Sequence, residues 1–297
     1  MGIFFIFLAC LTWALDTLIR YPLLGEGFNA VTIVFFEHLF LSILFIPTFY
    51  KLIKKKILFN SSNIFSFLIV GSLGSAIATL SFTKAFSLLN PSIVILLQKF
   101  QPVVAISLSS LLLKEKISKD FLFWAGVCVI GGFVISYQQI FQSIDLKTLK
   151  YTFSSKDSLI GVGYSLIAVL GWGSATVFGK KLSKQGFSAP EVMSGRFIFG
   201  LSACLLFLPS VSIERIGGDF LTKMAILVFL SGVFGIYFYY RGLAKIPAKM
   251  ATLAELFFPF CAVIINWLFL HTTLDWVQIL GGVTLVLGST VIQLKKY

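Results

Sequence analysis

The chain has 297 residues, 58% of them hydrophobic and only 12% charged, with a mean hydropathy of +0.95. Ordinary soluble domains carry about 25% charged residues, so this chain lacks the polar surface to cover itself in water and belongs in lipid. Its net charge of +12 would suit nucleic acid, but the basic residues stand in short clusters between apolar runs. That is the placement that sets membrane orientation, and it excludes nucleic acid as a partner.

A membrane-spanning helix needs about 20 mostly apolar residues. Ten such segments follow one another at 2–21, 30–50, 64–88, 91–113, 120–139, 158–180, 189–209, 221–243, 247–270 and 274–293. The first has no basic residue before it and carries Asp16 near its end, which argues against a cleaved signal peptide. Breakers mark the joints: Pro22, Asn60-Ser-Ser-Asn63, Asn90-Pro91, Pro209, Gly217-Gly218 and Pro247. The one long polar stretch, 141–157, divides a first half (1–140) from a second (158–297), five spans in each. The predicted fold is all-α, a polytopic membrane protein.

The halves read alike. Leu11-Thr-Trp-Ala-Leu-Asp16 and Gly27-Phe28 return as Leu170-Gly-Trp-Gly-Ser-Ala175 and Gly186-Phe187, with fourteen residues from tryptophan to glycine each time. Glu37 aligns with Arg196 and Lys99 with Glu255. Because five is odd, two similar five-helix repeats must insert in opposite directions, as an inverted pair with the substrate path between them. With a cytoplasmic N-terminus, 14 basic residues fall in inside loops and 6, Arg20 among them, in outside loops and edges. The positive-inside rule then puts both termini in the cytoplasm, with the protein in the inner membrane.

Leu170-Gly-Trp-Gly-Ser-Ala-Thr-Val-Phe-Gly-Lys-Lys with Arg196-Phe197 resembles the opening of an EamA-type repeat of the drug/metabolite transporter superfamily. So do Lys84-Ala-Phe-Ser-Leu-Leu-Asn-Pro-Ser, Gln101-Pro-Val-Val-Ala, Leu113-Lys-Glu-Lys-Ile-Ser118 and the glycine-rich Ala125–Gly132. The second half matches from Arg241-Gly-Leu-Ala-Lys-Ile-Pro247 through Pro259 to Gly281-Gly282 and Gly288. It departs at His271-Thr-Thr273, and the first half departs at Glu37, where the family commonly has arginine. The resemblance implies a ten-helix permease with a central cavity and leaves the substrate open.

Ionisable residues inside spans cost at least ~2.5 kcal/mol each at a helix centre, so they should face partners, water or the bundle interior. Asp16, Glu37, Lys99, Arg196 and Glu255 lie deep; Lys84 and Arg241 lie near helix ends, where snorkelling accounts for them. Glu37–Lys99 and Arg196–Glu255 pairs would neutralise each half. Such pairs either lock helices together or line the cavity as binding groups and gates. Trp13 and Trp172 sit near mid-depth and either pack or stack on a flat or cationic ligand. Tyr237, Tyr239 and Tyr240 end the eighth span, with Tyr240 the one assigned to the substrate. His38 beside Glu37 either relays protons or packs against a neighbour. Candidate proton carriers are therefore Glu37, His38 and Glu255.

Pro102 and Pro259 fall mid-span at related positions and break the fourth and ninth helices, each freeing a carbonyl one turn earlier. Those helices are the expected cavity walls. The glycines at 71, 74, 232 and 235 suit close helix packing. Cys10, Cys128, Cys204 and Cys261 lie in apolar runs without metal-ligand spacing and read as packing residues. No HExxH, Gly-x-Ser-x-Gly or Walker motif occurs, so neither an enzyme, a metal site, a cofactor nor ATP hydrolysis is expected. The sequence points to a secondary transporter of a small organic metabolite, working in lipid as a monomer or homodimer. Mixed charges at mid-depth favour an amino acid or similar zwitterion; an organic cation on the tryptophans and an acid is the alternative.

Overall fold

The computed structural model describes residues 2–113, 118–141, 144–145, 150–151, 156–243, 245, 254–255 and 257–294. The Lys114-Glu115-Lys116 turn, Pro247, Lys249 and most of the 141–157 segment lie outside the described residues. In chain order the helices are α1 (Gly2–Gly25), α2 (Ala30–Ile53) and α3 (Ser61–Phe86). Next, α4 has two parts, Pro91–Leu97 and Gln101–Leu113, joined by a 3-10 turn at Gln98–Phe100. The rest are α5 (Lys119–Phe141), α6 (Lys156–Lys184), α7 (Ala189–Cys204), α8 (Gly218–Leu243), α9 (Phe257–Leu270) and α10 (Trp276–Leu294). A two-residue antiparallel pair, β1 (Ile144–Asp145) with β2 (Lys150–Tyr151), sits between the halves.

Six of these helices are long and apolar enough to cross a membrane: α1, α2, α3, α6, α7 with its 3-10 extension to Ser210, and α8. Shorter apolar helices run at Pro91–Ala105, Phe257–Leu270 and Trp276–Ile292. This is a multi-pass α-helical membrane protein. Large apolar side chains such as Leu206, Phe123, Phe269, Trp276 and Leu280 stand exposed on its outside, the reverse of what water would tolerate.

Local sequence sets the helix ends. Asn29, Asn60 and Asn90 each accept a backbone N–H with the side chain and start α2, α3 and α4. Glycines in the left-handed region, Gly27 at φ 88° and Gly186 at φ 90°, turn the chain before α2 and α7. Pro22 does not end α1, as its position in the sequence suggested; the helix runs on to Gly25. The missing N–H leaves the preceding turn short of one bond, and the chain reverses only where Glu26 and Phe28 bond back to Pro22 and Leu23.

Contacts between the halves are reciprocal. α3 packs on α6 as α8 packs on α1; α4 packs on α6 as α9 packs on α1. α2 packs on α7 and α5 on α10. Small residues allow these crossings. A Cβ added to Gly131 would stand 2.9 Å from the Gly281 carbonyl, and one added to Gly281 would stand 2.9 Å from the Gly131 carbonyl. Gly74 lies against Ala175 and Gly171, and Gly235 against Thr12 and Trp13.

The helices α3 and α8 widen to π-helical turns at matching places, Ile69–Ile77 and Val228–Gly235. A π-turn disturbs the regular bond ladder and is common at functional sites. Each here presents a carbonyl to a side chain of the other half. Gly74 O accepts from Arg196 Nη2 at 3.0 Å, and Ser231 O accepts from Trp13 Nε1 at 3.3 Å.

Candidate functional site

Lys99 and Glu255 come together, which neither expected pairing anticipated. The cause is the two helix breaks. Pro102 cannot donate to the Gln98 carbonyl, and the chain tightens there into the 3-10 turn that carries Gln98 and Lys99. Pro259 likewise cannot donate to the Glu255 carbonyl. That carbonyl instead accepts from Phe258 N at 3.1 Å and Lys99 Nζ at 3.4 Å. The carboxyl of Glu255 also lies in the electrostatic field of Lys99, with Tyr239 beside it on the same cavity wall.

A small cavity of about 50 Å³, open on one side, lies at this junction. Gln98, Lys99, Gln101, Pro102 and Ala105 line it from α4, Thr176 from α6, Tyr239 from α8, and Glu255 from the approach to α9. Its main wall is therefore the broken fourth helix, with α6, α8 and the approach to α9 closing the other sides. Behind Tyr239, Trp13 is 5.5 Å away ring to ring, and Phe258 stands edge-on to Trp13 at 6.4 Å. Trp13 thus forms part of an aromatic wall, fixed by its bond to Ser231. Trp172 packs edge-on against Phe82 at 5.1 Å, within the apolar core.

The second cluster is built on Arg20. Its guanidinium has five N–H donors, and all five are used. Nε and Nη2 donate to Asp16 at 2.7 and 2.9 Å, Nη1 and Nη2 to Glu37 at 3.0 and 3.1 Å, and Nη1 also to Thr83 Oγ1 at 3.1 Å. Arg20 is 3% exposed, Asp16 7% and Glu37 6%. The sequence tally placed Arg20 at an outer edge; the structure buries it between α1, α2 and α3. The overlooked signal was local, since Asp16 and Arg20 are four residues apart and share a helix face. Glu37 consequently pairs with Arg20 and not with Lys99.

Arg196 does not meet Glu255 either. Besides Gly74 O, it donates from Nε to Ser75 Oγ at 3.3 Å, and Tyr240 lies in its electrostatic field. Ser75 in turn lies 3.0 Å from His38 Nε2, while His38 Nδ1 lies 2.9 Å from the Val34 carbonyl. A carbonyl can only accept, so Nδ1 carries a proton. In the neutral ring Nε2 then accepts from the Ser75 hydroxyl. His38 is thereby a buried strut linking α2, α3 and α7.

Of the residues singled out in the sequence, Lys99, Glu255 and Pro102 line the cavity, and Trp13 stands behind it. Asp16 and Glu37 form the Arg20 cluster; Arg196, Tyr240 and His38 form the strut; Trp172 is in the core. Gln98, Gln101, Ala105, Thr176 and Tyr239 complete the lining. Lys84 sits over the Tyr164 ring at 5.3 Å, and Arg241 donates to Tyr237 at 2.7 Å, both near helix ends.

A multi-pass helical membrane bundle with a polar cavity at a broken helix is an architecture that suits an integral-membrane permease. The match to known families makes this specific. The model of the EamA-like transporter family matches residues 1–137 and 159–294, and the chain belongs to that family, a branch of the drug/metabolite transporters. It is 33% identical over 312 residues to the riboflavin transporter ImpX of Fusobacterium nucleatum subsp. nucleatum, an alignment covering 99% of this chain and 97% of that one. A crystal structure sharing 13% identity covers 98% of this chain and 95% of its own, with a TM-score of 0.61. At that identity the likeness concerns the fold alone.

Proposed function

We propose that this protein is a secondary transporter of riboflavin or a closely similar flat heterocycle. The carrying observation is the cavity at the two helix breaks, uncharged in balance and backed by Tyr239, Trp13 and Phe258. The name of the 33%-identical relative agrees with that chemistry. The amino-acid and organic-cation readings lose three of their anchors and keep Lys99 and Glu255, which offset one another in the cavity. Asp16 and Glu37 spend every carboxylate oxygen on Arg20, and Arg196 is held by Gly74 and Ser75.

In this reading the molecule is an inverted pair of five-helix repeats, 1–140 and 158–297, joined by 141–157. The reciprocal contacts and the family match in two stretches support it. Both termini are cytoplasmic in an inner membrane, the Arg20 cluster closes the outer half, and the cavity faces inward. Purified protein in liposomes should take up riboflavin saturably, with competition by excess riboflavin and none by amino acids or choline. Inhibition by amino acids, with no flavin flux, would reinstate the zwitterion.

A further inference from the structure

Two buried polar atoms on residues that line this cavity have no hydrogen-bond partner among the described residues: Gln98 Nε2, a donor, and Glu255 Oε1, an acceptor. Gln98 is 7% exposed and both residues line the cavity. Buried polar groups are nearly always satisfied, so an orphan donor and an orphan acceptor in one cavity call for a ligand that supplies both complements. Lys99 adds a third group. Its ammonium has three N–H donors, and the contact with the Glu255 carbonyl at 3.4 Å is long for one of them.

We propose that Gln98, Glu255 and Lys99 read the imide edge of a planar ring, the carbonyl, N–H, carbonyl sequence. That edge is acceptor, donor, acceptor; the three side chains are donor, acceptor, donor. Lys99 and Glu255 offset one another, so a neutral imide enters without stranding a charge. A zwitterion would have to shed water from both ends against groups already compensated. The aromatic wall of Tyr239, Trp13 and Phe258 suits the ring that carries the edge. The isoalloxazine of riboflavin has this edge at its pyrimidine ring. Recognition then lies in the ring and not in the sugar-like tail.

The assignment rests on the flavin reading for its first ligand, and the test separates the two. Flavin fluorescence quenching on the purified full chain is titrated with riboflavin, lumiflavin (which lacks the tail) and N3-methyl-lumiflavin (which lacks the imide N–H). Riboflavin and lumiflavin should bind within a few-fold of each other. The methylated ring should bind at least ~10-fold more weakly, because a site built to pair an N–H rejects its absence. Gln98→Leu, with an unchanged melting curve, should weaken lumiflavin about 10-fold. Equal binding of the methylated and unmethylated rings overturns the imide assignment and leaves the flavin reading standing. Absence of saturable flavin binding overturns the flavin reading; thermal-shift titration with uracil against 3-methyluracil then decides. Stabilisation by uracil alone keeps the imide assignment, and no difference between the two removes it.

Discussion

Arg20 Nη1 lies 3.0 Å from Glu37 Oε2 across the α1–α2 boundary, and Asp16 grips the same guanidinium from its own helix. The exchange is complete: five donors, four carboxylate oxygens and one threonine hydroxyl, with no group left over. Such closure makes a buried ion cluster tolerable in lipid, and it sets what happens when a member is removed.

Arg20→Ala should be strongly destabilising. It leaves two carboxyl groups buried without their donor, and breaking a buried pair from one side costs about 3–5 kcal/mol. The combined replacement Arg20→Met, Asp16→Leu, Glu37→Met removes all the charges together and should recover most of the loss, since apolar substitutes are often as stable. If the cluster must open during the cycle, the triple variant will melt like the parent and fail to transport. Full transport by the triple variant would reduce the cluster to scaffolding.

Lys55 and Glu191 offer a control of the opposite kind. Their N–O separation is 2.7 Å, shorter than that of Arg20 and Glu37, but the lysine side chain is 40% exposed. Water and salt screen such a pair to about 0–1 kcal/mol. Glu191 also keeps the Ser188 N–H and hydroxyl as donors at 2.8 and 2.9 Å. Lys55→Gln should therefore shift the melting temperature little, and less still at high salt. A loss as large as that of Arg20→Ala would mean that distance and not burial governs these pairs.

The contrast explains what the sequence made legible. Hydropathy, breakers and the family pattern gave the helical membrane class, because lipid leaves few backbone solutions. Pro102 lines the cavity, and the residues one turn before each proline, Lys99 with Gln98 and Glu255, do too, since a missing N–H has a fixed consequence one turn back. The charge partners were not legible. Aligning the halves told which positions carry charge but not which side chains meet, and Glu37 went to Arg20 and not to Lys99. A loop tally treats every basic residue near a span end as solvated, so it misread Arg20. The π-turns left no mark in composition at all.

Glycine contacts give a third prediction. A Cβ on Gly131 would stand 2.5 Å from the Leu285 nitrogen and 2.9 Å from the Gly281 carbonyl, both backbone atoms that cannot swing aside. Gly131→Val should force α5 and α10 apart and cost about 1–3 kcal/mol, the usual range for overpacking. Gly163→Ala, with nothing within 4 Å of the added Cβ, should be neutral or slightly stabilising within its helix. Thermal melts of both variants in detergent check the pair; equal losses would show that α5 and α10 do not meet as described.

Proton coupling separates the two acids named from the sequence. In the Arg20 cluster every carboxylate oxygen accepts an N–H, so a proton arriving there must displace a bond already made. Glu255 has an oxygen without a partner among the described residues, and it faces the cavity. In the proposed transport cycle it is the acid expected to gain and lose a proton as substrate comes and goes. Glu37→Gln still accepts from Arg20 through its amide oxygen and should leave the pH dependence of flavin accumulation in liposomes unchanged. Glu255→Gln should abolish accumulation driven by a pH gradient, while counterflow exchange persists at reduced affinity because the amide oxygen remains an acceptor. Loss of pH-driven accumulation in Glu37→Gln, with Glu255→Gln retaining it, would move the coupling site to the Arg20 cluster.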